Sequence, residues 1–580
     1  MNTQKKIYKT FFSSLFAGIT LLTASCIDDF SGMNINPLNP PIIQSDIDDG
    51  ATDIDLGETI DPTELASLKA GKDGMGLLFR QFSYEGIYNN YQITTNLTHD
   101  IYCGYFVNNC PGFSELSPNY TYTDNWSAAR WNHFYKDRSS EYATMIRTFW
   151  YVDRDAYKNA FYIVRIYYAF LASCMTDTYG DMPFSAYIKG LSVPEQVPYN
   201  TQEKIYDMIF RILEQAANNI VPGACSFNFG NDDRCYGGDE GKWIRFANTL
   251  RLRLALRISN IDPERAEKEA VAAMTHPGGL MESSDDNMRT IPKYAPIALG
   301  GQDAGGDENI YALCSFKYTD VCMSKDLELA YKNISSFRDP RLAISWYHPT
   351  PKEALEMDIE FEDVDFRGCE IGNASEIKDD AEPYSVLRCN FKNGKVNEDQ
   401  YWFGYSRESV WLSYAECQFL LAEASLRKWN GAFDSPQNYF EAGIRESLRY
   451  YHIPESNINN YIKGLIIYSD PEQNPFITMD KEGMLEQIIT QKWLAIFPNG
   501  NEGWAEFRRT DYPKLMNPVN MSTVDVPKNK FIKRVRYPQD EIDYNRENIP
   551  ADINQGSRVW WDIMDTNDDS GKRNTPNNFR

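Results

Sequence analysis

Few of the side chains that could do covalent or metal chemistry are arranged to do it. The 580-residue chain has five histidines, and none of His99, His133, His276, His348 and His452 has another at the spacing that puts two ligands on one helix face. There is no H-E-x-x-H, C-x-x-C or G-x-S-x-G, so zinc hydrolysis, dithiol exchange and the nucleophile elbow have no local signature. With 82 acidic residues, carboxylate pairs are everywhere, and no motif singles out the two that a glycoside hydrolase would use. The glycine-rich run 300–306 lacks the Lys and Ser/Thr of a phosphate loop, and Asp303 and Asp307 would repel phosphate. The acidic stretches at 46–49 and 565–569 miss the spacing of a calcium loop. No catalytic residue, metal site or cofactor is therefore expected.

What remains is aromatic, at 14% of the chain. Between Tyr91 and Tyr135 the helical period is lost and aromatic residues crowd into polar sequence, a kind of long irregular segment that is often functional. Tyr122 and Trp126 stand among Thr, Asp, Asn and Ser and are expected to be exposed. Trp131 and Tyr135, four apart and leading into a helix, are expected in the core. A second region, 277–405, is rich in prolines and Gly-Gly pairs and poor in long helical patterns. Its candidate contact residues are Tyr318, Trp346, Tyr347, Trp402 and Tyr405.

The elements that would position these loops are helical. Apolar residues recur at helical spacing from Leu65 to Phe82, from Ala156 to Met175 and from Thr201 to Ile220. The helix Trp243–Ile258 carries Arg245, Arg251, Arg253 and Arg257, a structural or solvated face. Trp411 to Leu426 and Ser435 to Tyr450 form a pair with alternating large and small residues, like a degenerate tetratricopeptide unit, though no strict 34-residue period survives. In the stretch 491–513, QKWLAIFPNGNEGWAEFRRTDYP, an apolar face running from Leu485 to Ile496 ends at Pro498-Asn499-Gly500, where Pro lacks a donor and Asn-Gly tolerates positive φ. A short helix follows, with Trp504 and Phe507 on one face and Glu502 and Glu506 spaced for surface pairing with Arg509.

That corner resembles the signature of the SusD/RagB family of outer-membrane nutrient-binding lipoproteins. Other segments resemble the family in the same order: Asp177-Thr178-Tyr179-Gly180-Asp181-Met182-Pro183-Phe184, the helix WIRFANTLRLRLALRI from Trp243, VWLSYAECQFLLAEA from Val410, and Arg536-Tyr537-Pro538 with Glu541 and Asn545. The resemblance spans roughly 30–545. It implies a mainly α fold, a tetratricopeptide-like helical-repeat scaffold with an irregular, loop-rich ligand-facing half and few short strands. The expected layout is one domain over 63–580, with helical scaffold at 63–275 and 411–512. A loop-rich insertion occupies 276–410, and a polar segment, 513–580, wraps the surface.

The N-terminus agrees with such an address. Lys5, Lys6 and Lys9 precede an apolar run from Phe11 to Leu22, too short to span a bilayer, which reads as a cleaved signal. Leu22-Thr23-Ala24-Ser25-Cys26 resembles a lipobox, so residues 1–25 would be removed and Cys26 lipidated, followed by a polar tether to residue 62. The net charge of −24 excludes nucleic acid and direct adsorption to anionic lipid, leaving lipid as the membrane attachment. In an oxidising compartment Cys103/Cys110 and Cys225/Cys235 could form disulfides.

The resemblance implies a non-enzymatic surface binder that closes as a lid over a SusC-like TonB-dependent transporter, carrying a glycan or, in some members, a peptide. Aromatic rings suit the CH face of a pyranose, while Asp, Asn and Arg bond its hydroxyls. Tyr122, Trp126, Tyr318, Trp346, Trp402 and Tyr405 are the expected contacts. A glycoside hydrolase and a scaffold that binds only protein are the alternatives.

Overall fold

The computed structural model describes residues 56–84, 91–108, 124–190, 196–290, 311, 314–315, 320–372, 383–388, 391–392, 395–396, 408–468, 479–518, 526, 530–563 and 576–579, with only the backbone at 84, 124–127, 391–392 and 395–396. The expected signal, Cys26 and most of the tether lie outside them.

The principal helices are α1 (Pro62–Gly71), α2 (Met75–Tyr84), α3 (Ser139–Tyr151), α4 (Arg154–Tyr179), α5 (Gln202–Asn219), α6 (Glu240–Arg257), α7 (Pro263–Met274), α8 (Lys325–Asn333), α9 (Tyr414–Arg427), α10 (Pro436–Tyr450), α11 (Lys481–Ala495) and α12 (Gly500–Thr510). Among the described residues six short strands join them: β1 (Phe106–Asn108), β2 (Met288–Thr290), β3 (Val321–Met323), β4 (Phe391–Lys392), β5 (Lys395–Val396) and β6 (Ser409–Leu412). They pair antiparallel as β1–β3, β2–β6 and β4–β5. Successive helices pack side by side, α3 on α4, α4 on α5, α6 on α7 and α9 on α10, giving the mainly α, tetratricopeptide-like scaffold.

Helix starts are written locally. Asp153, Thr201, Asp239, Asp262, Ser413, Ser435, Asp480 and Asn499 each accept a first-turn backbone N–H, satisfying a donor that the helix leaves orphaned. Pro263 and Pro436 occupy first positions, where a missing donor costs nothing. The period expected over Leu65–Phe82 is broken: a 3₁₀ turn at Lys72–Gly74 separates α1 from α2, where two poor helix formers, Gly71 and Gly74, fall close together.

One large core runs through α2 to α7, and a second lies between α9, α10 and α11. In the second, Gly443 lets α10 close on Phe419; a Cβ there would lie 2.7 Å from the ring. Trp131 is buried and Tyr135 packs beside it, as expected. The C-terminal segment does more than wrap: Phe531, Val535 and Trp561 are buried in the main core.

The corner between α11 and α12 is where sequence and structure differ most. Leu485, Ile488, Ile489 and Trp493 are buried as their spacing requires. Residues 500–510 are all buried, however, so Glu502 and Glu506 are not surface groups. Lys492 Nζ lies 2.9 Å from Glu502, 3.2 Å from Glu506 and 3.2 Å from Glu416. Arg257 reaches Glu502 at 2.6 Å and Glu506 at 2.7 Å, and Arg253 reaches Glu416 at 2.6 Å. Arg509 spans Glu423 at 2.7 Å and Glu506 at 2.8 Å. Burial alone would raise the Glu506 carboxyl, but Arg509, Lys492 and Arg257 together hold it well below the usual range.

Gly500 also serves another purpose than positive φ. A Cβ at 500 would sit 2.7 Å from the Asp100 Cα and N, so its place is fixed by the close approach of two backbones. Glu506→Gln removes one negative charge from a group facing three cations and should lower unfolding free energy by about 3–5 kcal/mol. Urea denaturation checks this, and a loss below 1 kcal/mol would mean that water reaches the network.

Candidate ligand-binding face

The segments that carry the expected aromatic contacts begin and end on two strand pairs. In β1–β3, Asn108 pairs with Val321, so the chain leaving toward Tyr122 and the chain arriving from Tyr318 stand side by side. In β2–β6, Thr290 pairs with Ser409, placing the departure into 291–310 beside the arrival from Trp402 and Tyr405. Tyr122, Tyr318, Trp402 and Tyr405 themselves lie outside the described residues. Trp126 falls in the helix Asp124–Asn132, of which only the backbone is described at that position.

Side chains tie the two stems into one frame. Tyr311 donates to Ser409 Oγ at 3.1 Å, and its ring meets Tyr91 edge-on at 5.1 Å. The next residue, Gln92, donates to Asp320 just ahead of β3. Gln92–Asn96 is a π-helical turn, a conformation that recurs at functional sites. Arg130, in the helix that follows the Tyr122 segment, clamps it. Its guanidinium donates to Thr94 O at 2.7 and 3.1 Å, to Thr95 Oγ1 at 2.8 Å and to Asn501 Oδ1 of α12 at 2.7 Å. The frame thus rests on the buried corner.

Beneath it lie two buried titratable neighbours. His99 shares hydrogen bonds with Thr178 Oγ1 at 2.9 Å and Thr98 Oγ1 at 3.0 Å, and its ring meets Trp504 edge-on. Burial, with Arg130 and Arg508 nearby, keeps it neutral, far below the usual histidine range. Asp100 accepts from Tyr91 Oη and from Asn96 Nδ2 at 3.2 Å. Burial outweighs these donors and pushes its carboxyl up to about 7.

Trp346 does not join the face. It has no exposed surface, and its ring packs against Phe106 of β1 and Phe497, both at 5.6 Å. It forms the floor under β1, where apolar area gains more from burial than from a ligand, so its expected contact role is replaced by a structural one. Tyr347 is also buried, with the Arg388 guanidinium 5.3 Å from its ring centre. Residues that the sequence did not single out as contacts line a cleft between β6, α10 and α11: Tyr311, Glu408, Trp411, Tyr414, Glu446 and Tyr450. Tyr450 donates to Glu408 at 2.7 Å. The Tyr450-Tyr451 doublet at a helix end was the available signal. Among the described residues no cluster of His, Cys, Asp or Glu is arranged to hold a metal ion.

The segments that carried the resemblance are joints. Asp177 accepts from Tyr206 at 2.5 Å and from Trp561 Nε1 at 2.8 Å. Gly180, at φ 78°, closes α4, and Asp181 caps the start of α5 through Gln202 N. Tyr537 donates to Asp181 O at 2.7 Å, Glu541 accepts from Tyr199 at 2.8 Å, and Asn545 donates to Val197 O at 3.0 Å. Arg251, Arg253 and Arg257 of α6 are buried and ion-paired rather than solvated.

A family model described as SusD-like, "Susd and RagB outer membrane lipoprotein", matches residues 74–562. The chain belongs to the SusD-like family. Solved structures agree with this. A SusD homologue from Bacteroides vulgatus is 27% identical, with TM-score 0.67 over 85% of this chain and 99% of that one. One from Parabacteroides distasonis, 24% identical, gives TM-score 0.70 over 84% and 98%. A chitin-binding SusD homologue from Flavobacterium johnsoniae, also 24% identical, gives 0.66 over 86% and 99%. No curated protein matches the sequence. Among the described residues of this SusD-like chain no helix is long and apolar enough to cross a membrane.

The pair beneath the face makes stability depend on pH in opposite senses. An Asp100 carboxyl raised to about 7 contributes stability that is full below about pH 3.8 and is lost as pH rises toward 7. His99 contributes stability that is full above pH 6.5 and is lost below it. Asp100→Asn should therefore match wild type near pH 4 and exceed it by on the order of a few kcal/mol at pH 8. Thermal melts across that range check it; a difference independent of pH would show that Asp100 is not held neutral.

Proposed function

We propose that this chain is a non-catalytic lipoprotein, anchored in the outer membrane through Cys26, that binds an oligosaccharide or polysaccharide at the cell surface. It delivers the ligand to a SusC-like TonB-dependent transporter, over which it closes as a lid. The observation that carries the reading is the shared frame: the segments bearing Tyr122, Tyr318, Trp402 and Tyr405 all start or end on two strand pairs joined through Tyr91, Tyr311 and Gln92. Flat rings with polar neighbours suit the alternating CH faces and hydroxyls of a sugar chain. The chitin-binding relative from Flavobacterium johnsoniae shares the fold and makes chitin one polymer to try first.

Affinity electrophoresis of residues 27–580 through gels cast with soluble chitin derivatives and with plant, fungal and host polysaccharides tests this. Retardation on a polymer supports the reading. Silence across the panel with capture of a peptide would move the ligand class, and release of new reducing ends would overturn the absence of catalysis. Trp126→Ala and Trp402→Ala should each weaken retention by about 10-fold with little change in melting temperature. Trp346→Ala should instead destabilise by about 3–5 kcal/mol, since it empties a core position.

A further inference from the structure

Of the disulfides expected from sequence spacing, Cys225/Cys235 is not formed here, and Cys103/Cys110 involves Cys110, which lies outside the described residues. Cys225, Cys235, Cys322 and Cys369 all stand as free thiols in this structure, and Cys103 lies buried with its Sγ 3.4 Å from Asp100 O. Another pair, 47 positions apart, meets in the interior. Cys322 is the middle residue of β3. Cys369 lies against the other edge of the same strand: its N–H donates to Met323 O at 2.8 Å, and its carbonyl accepts from Lys325 N at 2.7 Å. That pattern makes Ser324 its parallel partner. Cys322, two residues before Ser324, projects from the same face.

Both residues are buried; the Cys369 thiol donates to Glu370 O at 3.6 Å and stands near enough to Cys322 to act on its titration. The backbones are pressed together here as well. Gly368 has no room for a side chain, because a Cβ would fall 2.1 Å from Ser324 O. Burial pushes the Cys322 thiol well above its ordinary range, so a thiolate forms there far more readily in the open chain than in the folded one.

We propose that Cys322 and Cys369 are joined by a disulfide in the exported protein, formed while the chain folds. The reaction breaks two S–H bonds and makes one S–S bond. Two protons leave, and two electrons pass to a protein disulfide donor of the exported compartment, which ends as a dithiol. The bond closes the segment from β3 through α8 to residue 369. It thereby pins the strand that starts beside Asn108, which makes it a staple under the ligand-binding face. The inference rests on export, and so on the reading above, but not on which ligand is bound.

The test uses the full chain recovered from the cell surface of its bacterial host. Thiols are alkylated under denaturing conditions, with and without prior reduction, and peptides are mapped by mass. A peptide pair joining Cys322 to Cys369, lighter by two hydrogens and separated by reductant, is the expected result. Both residues alkylated without reduction, or Cys322 linked to a different cysteine, would overturn it. In parallel, reductant should lower the melting temperature of wild type by a few degrees and leave a Cys322→Ser, Cys369→Ser variant unmoved. An equal response of the two would also overturn it. Polysaccharide retention of the same sample reports separately on the proposed function, so that either can fail alone.

Discussion

Everything in this molecule is built around the charge network buried between α6, α9, α11 and α12. Removing Arg253, Arg257, Lys492, Arg509 and their carboxylate partners from water is costly, and only nearly complete mutual satisfaction offsets it. The geometry meets that condition at separations of 2.6–3.2 Å from several directions at once. A helix that slid by a turn here would strand a buried charge as well as break the packing. The network therefore sets how helices from two distant stretches of chain stand against each other.

From that corner a continuous path of contacts leads to the two strand pairs that frame the candidate face. Asn501, on the first turn of α12, meets Arg130. Arg130 holds the π-helical turn, and the turn holds Tyr91 and Gln92, which grip one strand pair each. Loops that recognise a ligand gain when their ends do not move, because less ordering remains to be done on binding. The scaffold supplies that rigidity at the stems.

Much of the scaffold was legible in the sequence because it is written locally. Caps such as Asp153, Ser413 and Asn499, and apolar spacing such as Leu485 to Trp493, depend on residues within a turn or two. The readings that changed involve partners far away in sequence. Glu502 and Glu506 look like surface groups until Arg257, some 245 residues earlier, is seen between them. Gly500 looks like a turn glycine until Asp100 is found against it, and Trp346 looks like a ligand platform until Phe106 and Phe497 enclose it. The recognisable motifs, from Asp177 to Asn545, proved to be joints. Joints are constrained by the fold, which every member shares, while contact loops answer to a ligand and leave no pattern that a single sequence can reveal.

The bond between Trp561 and Asp177 spans 384 positions, and it bears on how the chain is made. Tyr537, Asn545 and Trp561 make hydrogen bonds to Asp181, Val197 and Asp177 from the far end of the chain. A polypeptide that emerges from its N-terminus leaves these bonds unmade until almost the last residue has been synthesised. This joint therefore reaches its final form only after the C-terminal segment has docked, so that segment completes the fold rather than decorating it.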